Sequence, residues 1–184
     1  MTAVRRANLG RSAAPANRRA LLAAALEVFS EGGIDAPLSA VAKRAGVGQG
    51  SLYRHFPDRI SLALAVFEEN VAAMEALVAD PDCTLDDLLA DITTKTIDSV
   101  AFVDIVTAGP SDPRLDAVAE RVRATIAIAL RQAHKDRTVR RAVTADDVML
   151  AVGMVAALVA KTPAAERRHT AERAWLMLRR GMRP

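Results

Sequence analysis

Apolar residues recur along this chain at helical spacing, and no stretch shows the alternation of a strand. The pattern predicts a first helix over Ala16 to Glu31. Leu22, Ala25, Leu26 and Phe29 fall on its one apolar face, and Gly32-Gly33 stops it. A short second helix over Ser39 to Ala45 turns Val41 and Ala42 inward, and Gly46-Val47-Gly48 turns the chain. A third short helix over Gln49 to His55 is closed by Pro57. The fourth is long, Asp58 to Ala79, with Ile60, Leu64, Phe67, Val71, Met74 and Val78 as one continuous stripe.

Asp80-Pro81-Asp82 ends that helix, and Thr84 with Asp87 reads as the capping box of the next. Leu85, Leu88, Leu89, Ile92 and Ile97 are its apolar positions. Gly109 to Pro113 is a break, with Asp112 as cap and Pro113 at the first helical position. Leu115, Val118, Val122, Ile126, Ala129 and Leu130 form the following stripe, and Lys135 to Arg141 is a charged connector. Thr144 with Asp147 caps a helix through Val159. Its run Val148 to Ala160 is apolar on all sides, so it reads as a helix buried almost all round, more than one chain can easily cover. Pro163 restarts the chain into a last helix ending near Met182.

Charge changes the picture at one end. Residues 1–62 hold nine Lys/Arg against four Asp/Glu, a net +5, whereas the rest hold 16 against 18, a net −2. A basic N-terminal part on a near-neutral body points to a polyanionic partner. With 51% hydrophobic but only 3% aromatic residues, the core must be built of Ala, Leu and Val. Cys83 is the only cysteine, which excludes an internal disulfide and fits a reduced, cytoplasmic setting. No apolar region follows Arg5 and Arg6, so no signal peptide is read there. The longest apolar run falls short of the roughly 20 residues a bilayer requires, so no membrane role is expected.

The segment Leu38 to Phe56 carries the chemistry. Two short helices meet across a tight turn. Ala42 is small where they approach, Gly46 supplies a positive φ, and Val47 and Leu52 fill the space between them. That is a helix-turn-helix on physical grounds. The second of the two is too short and polar to be core. Gln49, Ser51 and Arg54 can hydrogen-bond base edges or phosphates, a Gln pairing bidentately with adenine and an Arg with guanine. Lys43, Arg44 and Arg59 flank it as phosphate clamps, and Tyr53 and His55 suit the DNA backbone.

The run Arg19 to Leu64 resembles the DNA-binding domain of the TetR (tetracycline-repressor-like) family. The resemblance is carried by Ala24-Ala25-Leu26-Glu27-Val28-Phe29, Glu31-Gly32-Gly33, Val41-Ala42, Ala45-Gly46-Val47-Gly48 and, most strongly, Gly50-Ser51-Leu52-Tyr53-Arg54-His55-Phe56-Pro57-Asp58-Arg59. It implies that Gln49 occupies a variable, base-reading position and that Gly48, Ser51, Tyr53 and His55 border DNA. Arg59 stands where a Lys is usual, at a helix start that meets phosphate. Pro37 stands where the family has a capping Thr, so no phosphate contact is expected there. Ile60 in place of a common Glu weakens the expected cap of the fourth helix. Gly48 in place of Ser is still an acceptable cap.

The resemblance also implies the rest. The expected fold is all-α with about nine helices: an N-terminal three-helix helix-turn-helix domain joined by a long fourth helix to a C-terminal bundle. Residues 1–15 are expected to be a flexible basic arm, 16–62 the DNA-binding domain, and 63–184 a ligand-binding and dimerisation domain. The expected partners are double-stranded DNA with a pseudo-palindromic operator, a second copy of the chain, and a small, largely apolar effector whose binding releases DNA from a repressor. Phe67, Met74, Phe102, Met149 and Val152 are the candidate effector lining, with a plain core role for each as the alternative. Met154, Leu158, Trp175, Leu178 and Met182 are the candidate dimer interface, with the core of its own chain as the alternative for Trp175, Leu178 and Met182. His134 and His169 lie alone in charged surroundings, and Asp86-Asp87 and Asp146-Asp147 match helix dipoles. No metal spacing, phosphate loop or nucleophile constellation is present, so neither cofactor nor enzymatic activity is expected.

Overall fold

The structure, a computed structural model, describes residues 14–33, 35–103 and 112–184. Residues 1–13 of the expected arm 1–15, and 109–111 of the expected break Gly109 to Pro113, lie outside them. Among the described residues there are helices and no strand. The chain divides into two compact units, Met1–Leu62 and Ala63–Pro184.

In the first unit, α1 spans Ala14–Gly32, so Ala14 and Pro15 belong to a helix and not to the expected arm. Its buried face is wider than the expected stripe: Leu21, Ala24 and Val28 are buried beside Leu22, Ala25 and Phe29. Gly33 leaves the helix at φ +69°, where a side chain would be strained. α2 covers Leu38–Arg44 and packs on α1 through Val41 and Ala42. Pro37 gives it no side-chain cap. A Schellman turn ends α2. The Val47 N–H reaches the Ala42 carbonyl at 3.0 Å and the Gly46 N–H the Lys43 carbonyl at 3.2 Å, with Gly46 at φ +65°. α3 covers Gln49–His55, with Leu52 fully buried, and the Phe56 N–H closes it onto the Leu52 carbonyl at 2.7 Å.

α4 runs Arg59–Val78 and continues through the boundary between the units. The expected weak cap is corrected: Asp58 takes it, accepting from the Ser61 N–H and hydroxyl at 2.6 Å each. Leu62 to Val66 are all buried, so the single expected stripe widens to the whole circumference there.

In the second unit, α5 covers Leu85–Asp98, α6 Pro113–Lys135, α7 Ala145–Ala160 and α8 Arg167–Met182, the last preceded by a 3-10 turn at Ala164–Glu166. Both capping boxes are formed, at Thr84 with Asp87 and at Thr144 with Asp147. Asp112 caps α6 by accepting from the Arg114 N–H at 3.0 Å. α5 packs on α6, α7 and α8 around Leu88, Leu89, Ile126, Val148 and Val159. A bidentate pair, Arg121 to Glu75 at 2.9 and 2.7 Å, fastens α6 to α4. The expectation that α7 is buried almost all round is corrected within one chain. Val148, Ala151, Val155 and Val159 are buried, whereas Leu150, Met154 and Leu158 are exposed, because the other helices reach only one face.

Candidate functional site

α3 presents its polar side outward because Leu52 anchors its apolar side. Gln49 and Tyr53 are one helical turn apart and exposed, Tyr53 by 51%. Gly48 and Gly50 leave open space beside them: a Cβ added at either would meet nothing within 4 Å. Ser51 and His55 are half-buried on the flanks. Arg54 is exposed, and its Nε donates to its own helix at the Gly50 carbonyl, 3.1 Å away.

The three expected clamps differ from one another. Lys43 is exposed at the end of α2. Arg44 is bound inside the unit: its guanidinium donates to Glu27 at 2.9 Å and to both Glu31 oxygens at 3.3 and 2.9 Å. These bonds raise the Arg44 pKa and hold the Glu31 carboxyl below its usual range. Arg44 thus ties α2 to α1. Arg59 stacks 5.5 Å from the Phe29 ring centroid, and its Nη2 donates to the Asp35 carbonyl at 3.4 Å, which aims the guanidinium. Arg18, outside the expected set, stacks 5.7 Å from the Phe56 ring centroid in the same way. Its partner lies 38 residues on, so local spacing does not mark it. The arrangement is a polar helix face and cations on a small rigid head, suited to a polyanion.

In the second unit the expected effector residues separate. Phe67 and Met74 line a mostly apolar cavity of about 90 Å³ that also carries Asn70, Lys95, Thr96 and Ser99. Phe102 is buried, and Met149 and Val152 pack against the main apolar core, so none of these three lines that cavity. The dimer candidates separate too. Met154, Leu158 and Leu178 line a groove of about 580 Å³ between α7 and α8, joined by exposed Met177 and by His169 and Arg173. Trp175 is in the core of its own chain, its Nε1 donating to Thr93 Oγ1 at 2.7 Å. Met182 lines a different hollow, of about 750 Å³, with Cys83, Arg137 and Arg179. Burial, and then Asp87, push the Cys83 thiol pKa up. Among the described residues no cluster of His, Cys, Asp and Glu suits a metal ion, and no helix is long and apolar enough to cross a membrane.

The family model for bacterial regulatory proteins of the tetR family matches residues 21–66, which span α1 to the first turns of α4. This N-terminal segment is a TetR-family DNA-binding domain. The chain's fold is that of solved TetR regulators over nearly the whole length. A TetR transcriptional regulator from Streptomyces coelicolor is 27% identical, with 91% of this chain and 98% of that one covered at a TM-score of 0.62. The TetR family protein CprB from S. coelicolor A3(2) is 26% identical, with 94% and 91% covered at 0.64. A TetR regulator from Mycobacterium vanbaalenii is 25% identical, with 95% and 99% covered at 0.62. No curated protein matches the sequence. The chain therefore has the fold of a TetR transcription regulator, with its DNA-binding helix-turn-helix formed by α2 and α3.

Proposed function

We propose that the chain is a homodimeric repressor that leaves its operator when a small molecule binds its body. The open apolar face of α7 and α8 carries this reading. Leu150 is 66% exposed, Met154 55% and Met177 71%, on helices whose opposite faces are core. Contiguous apolar exposure of this kind marks an interface, and a two-fold dimer pairs such a face with itself. Two copies then offer two α3 helices to successive major grooves, roughly one helical turn apart. A solved relative, CprB, has been seen with its own operator sequence.

Within each half-site Gln49 reads a base edge, Tyr53, Ser51 and His55 hold the backbone, and Lys43, Arg54 and Arg59 face phosphate. The body works by binding and not by catalysis, and the protein acts in the cytoplasm on chromosomal DNA. α4 is the natural link, since one helix enters both units. A ligand releases DNA only by favouring the state that does not bind it.

Selection of bound DNA from a random pool tests the head and the dimer together. Two inverted half-sites about one helical turn apart are expected. A single unpaired site would overturn the dimer. Gln49→Ala should broaden the selected consensus at one base position per half-site. An unchanged consensus removes Gln49 from base reading.

A further inference from the structure

The cavity in the body is mostly apolar, lined by Phe67, Met74 and valines of α4 and α6, with Asn70 of α4, Lys95 and Thr96 of α5 and the α5 C-cap Ser99 as its polar groups. Two of these polar groups have already spent their protons. The Ser99 hydroxyl, on a residue only 3% exposed, donates to the Lys95 carbonyl, and the Thr96 hydroxyl donates to the Ile92 carbonyl at 2.8 Å. Their oxygens can therefore only accept from a guest. The Lys95 ammonium is neutralised by Asp91, one turn earlier on α5. The second Asp91 oxygen is buried with no hydrogen-bond partner, so this pair offers no excess positive charge. Asn70 completes the wall with an amide that can donate or accept.

A carboxylate is a poor guest here. It brings no proton for the Ser99 and Thr96 oxygens, and its charge loses water against a cation that is already paired. A hydroxyl suits every polar group on the wall. It donates to Ser99 or Thr96 and accepts from Asn70 or Lys95. The volume of about 90 Å³ limits the guest. A dry cavity of about 150 Å³ takes one benzene, so this one takes about four non-hydrogen atoms.

We infer that this cavity seats the hydroxyl-bearing end of a neutral, otherwise apolar ligand, and discriminates against a carboxylate at the same place. This inference rests on the effector reading given above and narrows the ligand class.

The test uses the full chain with ¹³C-labelled methionine methyl groups and two four-carbon probes, 1-butanol and butyrate, at pH 7. Met74 lines the cavity, while Met154 and Met177 are exposed elsewhere and report non-specific solvent effects. The Met74 methyl resonance should shift saturably with 1-butanol, at a concentration at least about ten-fold lower than with butyrate. Ser99→Ala, which removes an acceptor and leaves a small side chain, should weaken 1-butanol about five-fold. Three results overturn the inference: butyrate binding as well as 1-butanol, no saturable Met74 shift with either, or equal 1-butanol binding in Ser99→Ala. Operator release is read in parallel by fluorescence anisotropy of labelled DNA. Saturation of Met74 by 1-butanol without any release leaves the seat intact and sinks the effector reading. Saturation and release by butyrate alone does the reverse.

Discussion

The Lys43 ammonium stands exposed at the end of α2, whereas the guanidinium beside it on Arg44 holds Glu27 and Glu31 of α1. A phosphate contact and a structural tie give different signatures. Each phosphate neutralised steepens the fall of log affinity with log salt by about 0.9. Lys43→Ala should weaken binding to all DNA sequences and flatten that slope by about one unit. Arg44→Ala should lower the melting temperature and leave the slope as it was. Affinity titrations at four salt concentrations with a thermal melt of each variant separate the two. A flattened slope for Arg44→Ala would return it to the phosphate contacts. Residue types and their order along α3 were legible in the sequence, because a helix seven residues long with one buried leucine has little freedom in what it exposes. The partners of Arg44 were not, since they lie 13 and 17 residues away across a turn and only packing brings them near.

At the level of elements, the helix starts were the most legible part of the fold, because a cap is written within four residues. Thr84, Asp112 and Thr144 all cap where their spacing places them. Thr144→Ala removes the side-chain acceptor of the Asp147 N–H and should cost about 1 kcal/mol. In a chain of this length that lowers the melting temperature by about 2–4 °C by calorimetry. A loss under 0.5 °C would mean that Asp147 caps α7 without the hydroxyl. Asp112 adds a pH dependence. Bonds from the Arg114 side chain and then its backbone hold the Asp112 carboxyl down to about 2, against an ordinary 3.8. The fold thus favours the charged form. Its contribution is complete above about pH 5 and is lost as the pH falls through 3.8 towards 2. Asp112→Asn keeps a cap but not the charge. Urea midpoints of wild type and variant should differ at pH 6 and draw together as the pH falls through 3.8 towards 2, and a gap independent of pH would exclude the carboxylate as its source. Which face of α7 is core was not legible, because the helix is apolar all round and neither side differs in composition. The sequence left Trp175 between the dimer interface and the core of its own chain for a related reason. Its hydrogen bond to Thr93 joins residues 82 positions apart.

For the whole molecule, the uncovered half of α7 is the feature with the largest consequence. Leu150, Met154 and Leu158 stand out of one chain on a helix whose other side is fully buried, and Met177 of α8 stands beside the same groove. A two-fold pairing of this face places every substitution in the interface twice. Met154→Glu would therefore set two carboxylates into a largely apolar contact and strip them of water. A central contact of this kind is worth about 2 kcal/mol or more per site. Two sites amount to about 4 kcal/mol, roughly a thousand-fold in the dimer Kd. Because Met154 is exposed in the single chain, its replacement should leave each chain folded, with an unchanged helical signal by circular dichroism. Sedimentation velocity at micromolar concentration should show a dimer for the wild type and a monomer for the variant. Operator affinity should fall with it, since one head then binds one half-site without the second to hold it in place. The two readings must move together. A variant that stays dimeric places the interface elsewhere, and a monomer that still binds the full operator with unchanged affinity breaks the link between this face and DNA recognition.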